Sequence, residues 1–197
     1  MNFDALINRD NLLSADYVPE DLYILDNNEN NFHNYKDASL KPMLSESIKP
    51  YLDAMLSAAK KDGFTIIVDS GYRSYQYQQV VLDALINDKG EEAYTLSALP
   101  GSSEHQSGLA FDFAYIKNGK YSDDVTETTP EAVWMANNSY KFGFILRYPK
   151  NKTEITGYQY EPWHFRFVGL DAAKVIFDAD ITLEEYHQNL TKSEKSL

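Results

Sequence analysis

The sequence predicts an α+β domain with a small, mainly antiparallel sheet and helices packed on it. Two observations indicate this class. A segment with apolar residues at helical spacing comes early in the chain, and short β-branched or alternating segments are mixed with further helices after it. A chain of 197 residues that is 43% hydrophobic can fill one core. We therefore expect a single domain over residues 1–197.

The two ends of the chain are expected to differ from its middle. Residues 1–40 are polar and rich in Asn and Asp, which predicts an irregular N-terminal arm. Residues 41–190 carry the periodic segments and should form the folded core. Residues 191–197 are predicted to be a frayed tail, because chain ends are poorly ordered unless another element holds them.

The elements of the first half follow from local pattern. The first helix presents an apolar face formed by Ile48, Leu52, Met55, Leu56 and Ala59. Gly63 is suited to end this helix, and the β-branched segment 64–68 predicts a buried strand followed by a turn at 69–72. A second helix is expected at about 75–88, and a short helix at 91–99.

The second half alternates between strands and helices. The predicted elements are a strand at 109–114, a helix from Thr129 and Pro130 to Tyr140 that is ended by Gly143, strands at 144–148 and 164–168, a helix at 170–177, and a last helix with a capping box formed by Thr182 and Glu185. A helix that comes first, followed by strands mixed with helices, suggests a small, mainly antiparallel sheet.

Composition excludes several classes of partner and site. The formal net charge of −12 repels phosphate groups, so nucleic acid and anionic membrane are poor partners. The absence of cysteine rules out disulfides and thiolate metal sites. The sequence shows no signal peptide and no apolar run long enough to span a membrane. A cytoplasmic location is expected for the sequence as it stands, and a cell-surface or secreted one if a leader has been removed.

Histidine is scarce, which narrows the search for a catalytic or metal site. Of the four histidines, His33 lies in the polar arm and His187 lies in the last helix beside acidic residues, and both are predicted to be solvated. His105 and His164 remain as candidates.

His105 lies in a loop just before the strand that contains Asp112. The neighbours of Asp112 are apolar, and burial of a carboxylate without a partner costs free energy. A metal ion would supply that partner. The alternative is that Asp112 faces solvent at an edge of the sheet.

Glu161 and His164 frame the segment Glu-Pro-Trp-His. Residues three apart point to opposite sides of a regular strand, so the two side chains converge only if the backbone bends there. Trp163 would give a rigid wall beside such a site. The alternative is a loop glutamate next to a histidine that is packed in the core.

Considered together, two imidazoles and one carboxylate form a three-ligand zinc site that leaves a position for water. The predicted ligands are His105, Asp112 and His164. Glu161, which is not needed as a ligand, is suited to take a proton from that water.

Arg73 follows the first predicted strand and could bind the terminal carboxylate of a substrate through its guanidinium group. Gln78 and Ser103 could add hydrogen bonds. The alternative for Arg73 is a surface position at the start of a helix.

Three segments resemble signatures of the VanY-type zinc D-alanyl-D-alanine carboxypeptidases. Residues 103–112 match S-x-H-x-x-G-x-A-x-D, residues 161–164 match E-x-W-H, and residues 70–78 resemble S-G-Y-R-S-x-x-x-Q. Their order and spacing agree over residues 65–170. The resemblance implies a fold shared with the Hedgehog N-terminal domain and the D-Ala-D-Ala dipeptidases.

The resemblance also implies functional roles. One zinc ion per chain would lie on His105, Asp112 and His164, with Glu161 as the catalytic base. The residues that bind the substrate would be Arg73, Gln78 and Ser103, with Trp163 beside them. The implied substrate is a peptidoglycan stem peptide, or its precursor, that ends in D-alanine.

Several related functions stay open. An L,D-carboxypeptidase acting on tetrapeptides, a bifunctional D,D-dipeptidase and carboxypeptidase, and an endopeptidase share much of the pattern. A zinc-containing module that only binds cell-wall peptides is the alternative outside the enzymes. The segment Lys117 to Thr129 is a candidate for lining the substrate pocket.

Overall fold

The computed structural model describes residues 2–25 and 41–194. The strands in this part of the chain are β1 (Leu22–Ile24), β2 (Met43–Ser45), β3 (Thr65–Ser70), β4 (Ala110–Lys117), β5 (Lys120–Ser122), β6 (Phe144–Leu146) and β7 (His164–Phe167). The helices are α1 (Lys49–Lys61), α2 (Tyr75–Lys89), α3 (Ala93–Leu96), α4 (Pro130–Asn138), α5 (Thr153–Thr156), α6 (Leu170–Ala179) and α7 (Leu183–Glu194). Short 3₁₀ turns occur at Glu46–Ile48, Gly90–Glu92, Glu104–Ser107 and Ser139–Phe142.

The main sheet is antiparallel and has the strand order β3-β4-β7-β6. β4 is its central strand and pairs with β3 along one edge. Its other edge is shared, because residues 110–112 pair with β7 and residues 115–117 pair with β5. β1 and β2 form a separate two-stranded antiparallel sheet. The α+β class with a small antiparallel sheet is therefore confirmed.

The register of the main sheet brings the candidate site segments together. Asp112 on β4 lies opposite His164 on β7. On the other edge of β4, an irregularity between Val68 and Ser70 leaves Ser70 opposite Asp112. The end of β3, which leads to Arg73, therefore lies beside the two strands that carry the predicted ligands.

The hydrophobic core lies on the face of this sheet opposite to the one that Asp112 points to. Phe111 and Phe113 flank Asp112 in sequence, are buried, and pack with Phe144 and Phe165. Helix α1 covers the same core through the apolar face that the sequence predicts. Because successive residues of a strand point to opposite faces, Asp112 points away from this core. The alternating direction of side chains along β4 thus separates a face packed against the core from a face on which a functional site can form.

Several element boundaries differ from the predictions. Residues 22–24 of the arm form β1, so the arm is not irregular there. The short helix predicted at 91–99 spans only Ala93–Leu96, because Ser97 has extended backbone angles. The strand predicted at 144–148 ends at Leu146. Helix α7 continues through residues 191–194 of the predicted frayed tail, where the Thr191 hydroxyl donates to the backbone of the preceding turn.

Some predictions fall outside the described residues. They concern His33, the arm from residue 26 to residue 40, and the tail from residue 195 onwards. Within the described ranges, no helix has both the length and the apolar character needed to cross a membrane.

Candidate active site

His105 is held by the 3₁₀ turn Glu104–Ser107, which ends at Gly108. Gly108 has φ of +69°, a left-handed conformation that glycine adopts without steric cost. The Nδ1 of His105 donates to the carbonyl oxygen of Gly71 at 2.7 Å. This hydrogen bond fixes the imidazole ring and leaves its Nε2 directed at Asp112.

The carboxylate of Asp112 lies between the two candidate histidines. Its Oδ2 is 3.3 Å from Nε2 of His105, and its Oδ1 is 2.9 Å from Nδ1 of His164. One ligand atom from each of the three residues lies within 4.8 Å of the others. The structure therefore brings together the three side chains that the sequence predicts as ligands.

This set of donor atoms fits a zinc ion. Two imidazole nitrogens and a carboxylate are a common ligand set of catalytic zinc, and bonds of about 2.1 Å place tetrahedral ligands about 3.4 Å apart. The contacts of Asp112 with the two histidines have comparable lengths. The Nε2 of His105 is buried and makes no hydrogen bond, so it can act as a metal ligand.

Burial and charge act differently on the pKa values of the three candidate ligands. Burial, together with the nearby Arg73 cation, lowers the pKa of His105 to about 4, so this ring is neutral near pH 7. Burial acts to raise the pKa of Asp112, but the two histidines outweigh it and hold the pKa well below its usual range. Burial lowers the pKa of His164, but hydrogen bonds to Asp112 and Glu104 outweigh this and raise it to about 9. A metal ion would thus compete with a proton at His164.

Glu161 reaches the same site because the backbone bends. The backbone N–H of His164 donates to the carbonyl oxygen of Glu161 at 3.2 Å, which closes a turn over residues 161–164. The Oε2 of Glu161 then lies 3.8 Å from Nδ1 of His164. Burial raises the pKa of Glu161 to about 7, a value suited to a general base near neutral pH.

The three candidate ligands and Glu161 line a cavity of 530 Å³ together with Arg73, Ser103 and Trp163. The Nη2 of Arg73 is 4.0 Å from Oδ2 of Asp112. The Nε of Arg73 is buried and makes no hydrogen bond, so the guanidinium group retains an unused donor. A cation beside the metal-ligand set can hold an anionic substrate group in this cavity.

Gln78 lies behind the cavity wall rather than in it. Its side chain is buried, and its amide nitrogen donates to the Ser97 hydroxyl at 3.1 Å and to the Ala98 carbonyl at 2.8 Å. Ser97 and Ala98 themselves line the cavity. Gln78 therefore contacts the segment that forms the wall.

The segment Lys117 to Thr129 does not line this cavity, so the pocket-lining role considered for it is wrong. Part of it forms β5, which pairs with the far end of β4. The distal wall is formed instead by the C-terminal half of α2 and by residues 96–98. Sequence pattern alone could not show this, because the wall depends on how α2 packs over the sheet.

Two further residues of the site carry no signal in the sequence. Tyr148 lines the cavity, and the centroid of its ring lies 4.9 Å from the centroid of the His164 ring. Glu104 is buried behind His164, with its Oε2 3.4 Å from Nε2 of that ring. Burial acts to raise the pKa of Glu104, but the cations of Arg147 and Arg166 outweigh it and hold the pKa below its usual range. Glu104 is distant in sequence from His164, Arg147 and Arg166, so their contacts leave no local pattern in the sequence.

His187 lies away from the cavity but is not fully solvated as predicted. It is half-buried, and its Nε2 donates to the carbonyl oxygen of Asp4 at 2.6 Å. The last helix is thereby tied to the N-terminal segment.

Comparison with known proteins identifies the relatives of this chain. Residues 41–170 match the family model VanY, described as D-alanyl-D-alanine carboxypeptidase. A curated relative, the putative carboxypeptidase YodJ of Bacillus subtilis, is 43% identical over 192 residues, which are 97% of this chain and 69% of that protein.

Solved structures agree with this match. An LD-carboxypeptidase, LdcB, is 44% identical with a TM-score of 0.82, over 93% of this chain and 85% of that one. A mutant of the D,D-pentapeptidase VanY from a VanB-type vancomycin-resistance cassette, in complex with Zn(II), is 36% identical with a TM-score of 0.78, over 93% and 98% of the two chains. Both the extent of the family match and the site geometry lead to one conclusion. The chain belongs to the VanY family of D-alanyl-D-alanine carboxypeptidases.

Proposed function

We propose that this protein is a zinc-dependent D,D-carboxypeptidase that removes the C-terminal D-alanine from peptidoglycan stem peptides or their precursors. The observation that carries the proposal is the convergence of His105, Asp112 and His164 within 4.8 Å, in a cavity that also contains Glu161 and Arg73. Family membership and the Zn(II) complex of a relative support the same metal and the same reaction class.

His105, Asp112 and His164 would hold the zinc ion. When bound, zinc would activate a water molecule and polarise the scissile carbonyl group. The hydrogen bond that Nδ1 of His105 donates to the Gly71 carbonyl oxygen, and the pairing of Asp112 with His164 in the sheet, would hold the ligand atoms in place.

Arg73 would bind the terminal carboxylate of the peptide. Its guanidinium group faces the cavity beside Asp112, and the buried Nε lacks a partner that a carboxylate oxygen would supply. Ser103 and Trp163 line the same cavity and would contact the end of the peptide. Gln78 would support the wall through its hydrogen bonds to residues 97 and 98.

Glu161 would move the proton. As a carboxylate it would accept the proton of the attacking water, and as a carboxylic acid it would return that proton to the leaving amine of D-alanine. The burial that raises its pKa to about 7 makes both states accessible near neutral pH. A purely structural metal site has no need for such a group, which argues against a module that only binds peptides.

L,D-carboxypeptidase activity is a second candidate, because LdcB is an LD-carboxypeptidase and matches this chain with a TM-score of 0.82. The two activities differ in the residue that precedes the terminal D-alanine. Both require a free terminal carboxylate, so the Arg73 side of the cavity serves either one.

A panel of synthetic peptides tests the proposal. It contains a pentapeptide ending in D-Ala-D-Ala, a tetrapeptide ending in D-alanine and the dipeptide D-Ala-D-Ala, each with a free and with an amidated C-terminus. We expect fastest release of D-alanine from the free pentapeptide, and strong loss on amidation. Faster release from the tetrapeptide would assign the L,D activity instead. Zinc binding without release from any peptide would contradict both.

A further inference from the structure

Glu104 lies in the centre of a buried cluster of charges behind the cavity. Its Oε1 accepts a hydrogen bond from Nε of Arg147 at 2.7 Å and another from Nη1 of Arg166 at 2.9 Å. All three side chains are almost completely excluded from solvent. A buried carboxylate between two guanidinium groups has a fixed position, because movement would leave buried charges unpaired.

The cluster is tied to both ends of the described chain. Arg147 donates two hydrogen bonds to Glu184 on α7, at 2.9 and 2.6 Å. Arg166 donates to the backbone carbonyl groups of Phe3 and Ala5 at 2.9 and 2.8 Å. The position of Glu104 is therefore set by contacts with the N-terminal segment and the last helix.

The second oxygen of Glu104 is directed at the metal-ligand set. Its Oε2 lies 3.4 Å from Nε2 of His164, while Nδ1 on the opposite side of the same ring faces Asp112 at 2.9 Å. An imidazole that binds a metal through one nitrogen carries its proton on the other, and an acceptor there fixes the tautomer and the ring plane. The two sides of His164 thus have different partners.

We propose that Glu104 is a positioning residue of the metal centre, whose Oε2 accepts a hydrogen bond from the Nε2–H of His164 and so leaves Nδ1 of that ring available to the metal. This inference rests on the proposed function, since it takes zinc to bind at His164. It assigns opposite tautomers to the two histidines. His105 carries its proton on Nδ1, which donates to Gly71, whereas His164 carries it on Nε2.

The substitution Glu104→Gln tests the proposal, with Glu184→Gln as a matched control. Both changes remove one buried carboxylate from the same arginine cluster, but Glu184 contacts Arg147 and Asn8 and does not contact His164. A merely structural role predicts that the two variants lose thermal stability and leave zinc affinity unchanged. A positioning role predicts that Glu104→Gln alone also weakens zinc binding by about 10- to 100-fold.

Zinc affinity is measured by competition with a chromophoric chelator, and the Co(II)-substituted proteins are compared by visible absorption. We expect an altered Co(II) spectrum for Glu104→Gln and an unaltered one for Glu184→Gln. Equal zinc affinities in wild type, Glu104→Gln and Glu184→Gln would overturn the inference. Absence of zinc binding by the wild type would instead overturn the proposed function, so the two failures are distinguishable.

A second measurement needs no variant and remains decisive if Glu104→Gln does not fold. Long-range ¹H–¹⁵N spectra of the zinc-loaded wild-type protein report the protonated nitrogen of each histidine ring. We expect one metal-bound ring protonated on Nδ1 and one protonated on Nε2. Two metal-bound rings protonated on the same type of nitrogen would contradict the role given to Glu104.

Discussion

Glu161 is the cavity residue whose protonation state matters most for the proposed reaction. Its side chain has two relevant properties: its Oε2 lies 3.8 Å from Nδ1 of His164, and burial raises its pKa to about 7. Neither property requires the glutamate to bind the metal itself. Substitution should therefore separate metal binding from turnover.

The change Glu161→Gln should lower kcat by about 10²- to 10⁴-fold, because the amide cannot accept a proton from water. Zinc content and the thermal midpoint should stay close to those of the wild type, since glutamine has the same shape. Glu154→Gln, an exposed position on α5, serves as the control and should turn over normally. Wild-type turnover by Glu161→Gln would show that another group is the base.

The pH dependence of kcat/KM should have an acidic limb that belongs to Glu161. Burial raises the pKa of this carboxyl to about 7, and the protonated form cannot act as a base. A bound dication favours the ionised form, so the limb should have its midpoint at or below pH 7. Activity should rise about tenfold per pH unit below this midpoint, as expected for loss of one proton.

Glu161→Gln is the control for this profile, because its residual activity should lack the limb. A wild-type profile that continues to rise above pH 8 would contradict the assignment.

At the scale of elements, the site depends on the connection between β3 and α2. Gly71 lies in this connection, and its carbonyl oxygen accepts the hydrogen bond that orients His105. A Cβ at residue 71 would lie 2.2 Å from the carbonyl oxygen of Met43 on β2. Glycine is needed here because two backbone segments approach closely, and this requirement cannot be seen in the sequence.

The change Gly71→Ala should destabilise the fold by about 1–3 kcal/mol, because backbone must move to accommodate the methyl group. It should also weaken zinc binding, since displacement of residue 71 moves the acceptor of His105. Gly63→Ala is the comparison, because a Cβ at Gly63 meets no atom within 4 Å although its φ is +94°. Denaturant titration and zinc competition should show lost stability in both variants and lost zinc affinity in Gly71→Ala alone.

The elements could be predicted from sequence where periodicity was strong. The apolar face of α1 predicted the helix, and the alternation around Asp112 predicted the central strand and the face that carries this carboxylate. Strand β1 could not be predicted, because its three residues are too few to show a period and its partner β2 lies about twenty residues away.

Within the site, too, features that depend on local sequence pattern could be predicted and features that depend on distant contacts could not. The cluster of His105, Asp112 and His164 could be predicted because histidine is scarce and the spacing is specific, whereas the rest of the cavity depends on tertiary packing. The sequence separation between Glu104 and its partners Arg147 and Arg166 is 43 and 62 residues. The wall formed by α2 likewise depends on the packing of a helix against residues distant in sequence.

At the scale of the whole molecule, the proposed metal site connects several strands with both ends of the described chain. Its proposed ligands come from a turn, from β4 and from β7, and the charge cluster behind His164 reaches the N-terminal segment and α7. A ligand that binds only the folded state stabilises all of these elements together. Zinc should therefore raise the free energy of unfolding of the entire domain.

At free zinc concentrations about 100-fold above Kd, the free energy of unfolding should rise by about 2.7 kcal/mol. For a domain of this size, the thermal midpoint should then rise by roughly 5–10 °C. Differential scanning fluorimetry with and without a chelator measures this shift. His187→Ala should keep the shift, because His187 lies outside the cavity, and His105→Ala should lose it. An unchanged midpoint in wild type would argue against zinc binding by the folded state.

The most direct single measurement is D-alanine release from the synthetic pentapeptide while zinc is titrated into chelator-treated protein. Ligation by His105, Asp112 and His164 predicts that the rate rises linearly and levels off at one zinc ion per chain. A rate that is the same before and after complete metal removal would contradict a zinc-dependent reaction at this site.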